Sequence, residues 1–219
     1  MKLVKKFIFG LCLFSLCAFI FADENDEYID HINYNVKLSY PHSKSCSSFN
    51  KVIDNTVKKI YADFAQNYLK QDYSKATFNA NFDLILGASE LYEDEDYISV
   101  ILAPYYFTGG AHGYSGFYSI NYSVKQKKVL SLKDVLGKNY KKSLEKISKE
   151  AKAELIRLAQ KENIPFEMET IDEITEPKLE NFQNFQITKE ALIIQFDEYT
   201  AWPRVYGAPQ ISLPLEKIK

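Results

Sequence analysis

At 219 residues, 46% of them hydrophobic, the chain is long enough to bury a core of its own as one domain. Its formal net charge of −2 excludes the strong positive excess that binds nucleic acid or anionic membrane surfaces, and leaves room for a basic protein partner. Three cysteines, two of them among the first 17 residues, exclude a disulfide framework.

The chain opens with a targeting segment. Lys2, Lys5 and Lys6 precede an apolar run from Phe7 to Phe21, and Ala22 then gives way to Asp23-Glu24-Asn25-Asp26-Glu27. The run is short for a membrane span of roughly 20 residues. It fits a secretory signal, residues 1–22, cleaved after Ala22. An uncleaved anchor is the alternative. Cys12 and Cys17 each follow a Leu, where a lipoprotein signal wants a small residue. Loss of residues 1–22 removes three lysines and no acid, moving the formal charge from −2 to −5. Cys46 is then the remaining cysteine, either buried and inert or exposed and free to pair between chains.

From Tyr28 to Tyr40, Ile32, Tyr34, Val36, Leu38 and Tyr40 alternate with polar residues, the pattern of a strand that Pro41 ends. Ser47 or Ser48 can cap the next element. Phe49, Val52, Ile53, Val57, Ile60, Phe64 and Tyr68 recur at helical spacing, which predicts an amphipathic helix of about six turns. A meander comes next. Phe78 to Leu86 alternates as a half-buried strand, Glu90–Asp96 is an acidic connection, and Tyr97–Ala103 is a central strand apolar on both faces. Phe117–Val124 forms a third strand after a glycine loop. Ser131 and Asp134 are spaced as a capping box, with Gly137 to close the short helix they open. Leu144, Ile147, Ala151, Leu155 and Leu158 mark a second long helix from about Tyr140 to Lys161, stopped by Asn163 and Pro165. Glu167–Leu179 reads as an acidic, turn-like, mobile excursion. Strands follow at Phe182–Ile187, Ala191–Phe196 and Gln210–Leu213. The order implies an α+β fold, a mainly antiparallel sheet with two long helices packed on one face. Residues 23–219 form a single domain with halves at 23–125 and 126–219.

Two loops hold the candidate binding residues. The first is Thr108-Gly109-Gly110-Ala111-His112-Gly113-Tyr114, between strands, where paired glycines require a positive φ or a bulge that re-aims His112 and Tyr114. His112 reads either as a ring pinning its own loop to a carbonyl or as a contact residue. The second is Tyr199-Thr200-Ala201-Trp202-Pro203-Arg204-Val205-Tyr206-Gly207. Trp, Tyr and Arg on a Pro/Gly-rich loop is hot-spot composition, so Tyr199, Trp202, Arg204 and Tyr206 are contact candidates. The alternative is a loop folded onto the sheet edge with Trp202 as its packing anchor. The acidic run at Glu93–Asp96 reads as a solvated hairpin tip or an acidic contact for a basic partner. Only His31, His42 and His112 are available as imidazole ligands, without ligand spacing or a CxxC pair, so no metal or cofactor is expected. Neither a G-x-S-x-G elbow nor a local signature around Cys46 is present, and no enzymatic activity is expected.

Motifs spread along the chain carry a family resemblance. They are Tyr34-x-Val36, Tyr40-Pro41 and Phe49-Asn50-x-x-Ile53; then Thr108-Gly109-Gly110-Ala111-His112-Gly113, Ile120-Asn121-Tyr122 and Leu130-x-Leu132-x-Asp134; then Phe185-x-Ile187-Thr188, Phe196-x-x-Tyr199, Ala201 with Pro203, Gly207, and Ile211-x-x-Pro214. In these the chain resembles the bacterial extracytoplasmic domain pair found in the lysozyme-sensing anti-sigma factor RsiV and ahead of the catalytic domain of the peptidoglycan deacetylase PdaC. The resemblance implies an exported, periplasmic or extracellular, non-catalytic module, the part that binds lysozyme in the anti-sigma factor, so a lysozyme-like protein is the expected partner. The aromatic faces of the second loop, which could stack on sugar rings, give cell-wall glycan as the alternative. No sigma-binding segment and no deacetylase domain accompany the matching residues, so neither activity is carried over.

Overall fold

The computed structural model describes residues 32–69, 80–109 and 111–218. Of these, residues 34–69, 81–109 and 111–218 group as one compact unit. Both long helices and the strands they cover belong to it. The expected signal segment, the expected strand starts at Tyr28 and Phe78, and Gly110 lie outside the described residues.

The first sheet is built on β4 (Tyr97–Thr108), which runs five residues further than the sequence pattern implies. One edge of β4 pairs with β2 (Ala80–Ala88) and then β3 (Tyr92–Glu93). The other edge pairs with β5 (Tyr114–Ser115) and β6 (Tyr118–Ser123), all antiparallel. β1 (Ile32–Leu38) extends the sheet beyond β2, and β7 (Lys128–Val129) extends it beyond β6. β4 is therefore central, as its apolar faces imply.

The period of two splits β4 and β6 cleanly. Ile98, Val100, Leu102 and Tyr106, with Ile120 and Tyr122, are buried on one face. Helix α1 (Ser47–Phe64) covers it, its Phe49 ring meeting Tyr122 edge-on at 6.1 Å and Phe64 lying 6.3 Å from Tyr106. The expected serine cap is displaced. Cys46 holds the cap position without a side-chain capping bond to the helix backbone, and Ser43 Oγ accepts the backbone N–H of Ser45 and of Cys46 instead. Cys46 is half-buried, its Sγ 3.3 Å from Ser48 Oγ.

The second half begins with α2 (Leu132–Leu136), opened by the Ser131–Asp134 capping box and closed at Gly137, φ 70°. α3 (Tyr140–Lys161) comes next with the expected bounds. The segment after it corrects the expectation of a mobile excursion. α4 (Met168–Ile174) buries Ile171 completely, and Thr175 Oγ1 donates to Ile171 O at 2.7 Å. Ile171 and Ile174, three apart, give the acidic segment an apolar side that packs into the same core as α3, with Phe166 against it. β8 (Phe185–Ile187), β9 (Ala191–Gln195) and β10 (Gln210–Pro214) form a second antiparallel sheet in the order β10-β9-β8, and α5 (Leu215–Ile218) closes the chain. Leu144, Ile147, Ala151 and Leu155 of α3 share one core with Phe185, Leu192, Ile194 and Ile211.

The architecture is α+β and mainly antiparallel, as the sequence implies. The strands divide into two sheets, and each long helix covers its own. The division comes from how β8 ends its sheet. Gln195 N–H donates to Asn184 O and Gln186 pairs with Ile193, so Phe185 and Ile187 turn their backbone groups away from β9. No strand among the described residues meets them. Asn121, 1% exposed, donates its Nδ2 to Phe185 O at 2.8 Å and accepts Ile187 N–H on Oδ1 at 2.9 Å. Ser99, its register partner on β4, donates to Ile187 O at 2.6 Å, while Gln186 Nε2 donates back to Ser99 O at 2.9 Å. Side chains on the far face of the first sheet thus satisfy the edge of the second.

Candidate binding rim

The first loop leaves the end of β4. Gly109 turns the chain at φ 81°, a conformation open to glycine. Gly113 is required for a different reason. A Cβ there would lie 2.3 Å from Tyr106 O and 2.4 Å from Tyr105 Cζ, so only a hydrogen fits. Gly113 N–H donates to the Tyr105 hydroxyl at 3.2 Å. His112 is exposed, with Nδ1 3.1 Å from Gly113 O. Tyr114 stacks on Tyr106 at 5.0 Å and 24°, and its hydroxyl lies 3.4 Å from that of Tyr68. Burial and the Tyr118 hydroxyl push the Tyr106 phenol far above its usual range. Burial, with Tyr68 second, pushes Tyr114 up to about 12.

The second loop begins after β9. Thr200 donates its hydroxyl to Asp197 O at 2.7 Å, which tightens the turn that holds Tyr199 at φ 67°. Trp202 is 7% exposed and belongs to the second core, its indole N–H donating to Gly207 O at 3.0 Å. Trp202 therefore holds the loop from beneath, and its ring is not offered to solvent. A short 3₁₀ turn, Arg204–Tyr206, carries the exposed tip, and Gly207 ends it at φ 78°.

One side chain joins the two loops. Ser115 Oγ donates to Glu198 Oε1 at 3.0 Å, across 83 positions of sequence. Arg204 Nε lies 2.9 Å from Glu198 Oε2, with these side chains 24% and 15% exposed. That contact is ionic without the alignment of a hydrogen bond, and Oε2 accepts none. The bridge ties Ser115 to the loop that carries Tyr199 and Tyr206, while Tyr114, its neighbour on β5, turns to the other face of the sheet, against Tyr106 and Tyr68. The second loop shows solvent Tyr206, about half exposed, Tyr199, and above all Val205, 85% exposed; Tyr114, also about half exposed, stands apart from them.

Glu198 and Val205 are absent from the sequence-derived candidates. An acid beside Asp197 on a loop reads as solvated, and only the fold places Ser115 against it. Val205 did carry a signal, an aliphatic residue between two candidates on a Pro/Gly-rich loop. Among the described residues no group of three His, Cys, Asp or Glu side chains is arranged to hold a metal. Among them, too, no helix is long and apolar enough to cross a membrane.

Residues 27–115 match the family described as "Deacetylase PdaC", and residues 133–216 match the family described as "Protein of unknown function (DUF3298)". Together the two matches make the chain similar to a PdaC-like domain followed by a DUF3298 domain. Peptidoglycan-N-acetylmuramic acid deacetylase PdaC of Bacillus subtilis (strain 168) is 23% identical over 197 residues, covering 87% of this chain. The domain pair spans 39% of that relative's length. A DUF3298 family protein from Pseudomonas aeruginosa PAO1 is 24% identical with a TM-score of 0.45, over 66% of this chain and 63% of its own. A DUF3298 family member from Bacteroides fragilis is 18% identical with a TM-score of 0.45, over 80% of this chain and 68% of its own. The Ser115–Glu198 bond therefore ties the last residue of the PdaC-like match to a loop of the DUF3298 match.

Proposed function

We propose that the domain pair is a non-catalytic module of the cell envelope that docks a basic protein of the lysozyme type on this rim. Val205 carries the reading. An aliphatic side chain 85% exposed, at the tip of a loop fixed by buried Trp202 and by the Glu198 bridge, is an anchor presented in advance of its partner. Loops already fixed lose little freedom on binding, and Tyr beside such an anchor is hot-spot composition. The negative net charge complements a basic protein, and the resemblance to the lysozyme-sensing anti-sigma ectodomain supports the partner class. Calorimetry with purified lysozyme tests it. Binding is expected, and Val205→Asp and Tyr206→Ala each weaken it by about tenfold or more. An absence of heat at low salt removes this reading.

The exposed rings of Tyr199 and Tyr206 favour a second reading, stacking on cell-wall sugars. Trp202 is the chain's single tryptophan and sits under the same loop, so soluble muropeptides would then change its fluorescence. Emission unchanged at saturating muropeptide would end that alternative.

A further inference from the structure

The net charge of the chain hides a segregation. Between Lys125 and Lys152 stand ten lysines against three acids, in a chain whose formal charge is −2. Three of these lysines are spent on carboxylates: Lys125 on Asp96, Lys128 on Asp134 and Lys152 on Asp172. Lys133 lies over the Tyr140 ring, 4.9 Å from its centroid. Lys138, Lys141, Lys142 and Lys149 are exposed and form no ion pair among the described residues.

The lysines at the start of α3 have an order. α3 commits Leu144, Ile147, Ala151 and Leu155 to the core, and Lys138, Lys142, Lys146 and Lys149 run along the opposite side of the helix and the turn before it. At about 1.5 Å per residue the line is roughly 16 Å long, with about 6 Å between successive charges at its start. It begins where a helix least favours lysine. α3 is 22 residues long, its first turn holds no acid, and Asn139 makes no side-chain cap. The positive end of the helix and two lysines at its second and third positions repel one another, and a bound anion relieves both.

We infer that this ridge is a second docking surface, and that its partner is a linear poly(polyol phosphate), phosphodiester-linked and without bases. Lysine meets phosphate as a point charge that imposes no fork geometry on its partner, whereas the rigid fork of arginine fits carboxylate and phosphate alike. The chain's two arginines, Arg157 and Arg204, both already face glutamates. A row of single charges about 6 Å apart matches the repeat of an extended phosphodiester chain. A lipid surface fits less well, because an interfacial helix needs an apolar side to sink into the bilayer, and the apolar side of α3 is used in the core. Binding on the ridge does not depend on the rim.

The test uses fluorescence anisotropy of labelled poly(glycerol phosphate) over a range of salt concentrations. The variant is Lys138→Glu/Lys142→Glu/Lys149→Glu, in which acids replace lysines near a helix start and at an exposed position, so the fold is retained. Lys51→Glu/Lys58→Glu/Lys59→Glu on α1 makes the same change of charge elsewhere. The wild type is expected to bind, with affinity falling steeply as salt rises. The ridge variant should lose about tenfold or more, and its log–log salt slope should shrink by about 2, at roughly 0.7 per contact for a single strand. The α1 variant should stay within about twofold. Failure of the wild type to bind, or equal losses in both variants, overturns the assignment. So does tighter ridge-dependent binding to a single-stranded oligonucleotide or to phosphatidylglycerol vesicles than to the polymer.

Discussion

Replacing Glu198 by Ala cuts the bridge between the two rim loops. Two contacts go: the Ser115 hydrogen bond at 3.0 Å and the ionic contact with Arg204 at 2.9 Å. A net hydrogen bond contributes about 1 kcal/mol. The ion pair is neither a surface pair, worth about 0–1 kcal/mol, nor a fully buried one, whose breaking costs about 3–5 kcal/mol. With its side chains 24% and 15% exposed, it lies between those limits. The expected loss is about 2–3 kcal/mol, near 1 M in urea midpoint for a slope of about 2–3 kcal/mol per molar. Glu198→Gln keeps an acceptor for Ser115 and should lose about half as much. Urea titration followed by Trp202 emission reads both. The decisive measurement is a cycle with Ser115→Ala. Coupling of about 0.5 kcal/mol or more is expected, and losses that add within about 0.3 kcal/mol would mean the loops do not sense each other.

Gly113→Ala should destabilise by about 1–3 kcal/mol, since the new methyl meets Tyr106 O at 2.3 Å; thermal unfolding checks it, and an unchanged midpoint would discount the close approach. Asn121→Leu leaves Phe185 O and Ile187 N–H buried without partners, at about 1–3 kcal/mol each, while Asn121→Asp retains only the acceptor toward Ile187. Urea midpoints should show both variants destabilised. Alkaline titration at the phenolate absorbance should find tyrosines ionising above the ordinary value of about 10. The Tyr114 phenol is raised to about 12 in the fold, so its contribution to stability is complete below pH 10 and disappears as pH climbs toward 12. Tyr114→Phe should remove that part of the alkaline loss.

Much of the scaffold was legible because period and punctuation agree. α3 announces itself through Leu144, Ile147, Ala151 and Leu155, and stops at Asn163, which takes φ 53°. The Ser131–Asp134 pair reads as a capping box and forms one. The long reach of β4 was less legible, because its last residues pair with β2 and β5 and tertiary partners decide them. α4 was missed because acids surround Ile171 and Ile174, and a single buried isoleucine outweighs several solvated glutamates. Both rim loops were picked out by glycine and aromatic content, but their connection was not. Glu198 and Ser115 are 83 residues apart, and local pattern says nothing about a bond of that span.

The polar seam of Ser99, Asn121 and Gln186 has a consequence for anyone dissecting this chain. A fragment starting near Ser131 would keep its own hydrophobic core yet expose the open flank of β8 to water and to other molecules, an invitation to sheet extension between copies. The earlier matched stretch thus shields an edge of the later one, and separate expression of the latter is expected to aggregate more readily than the joined pair.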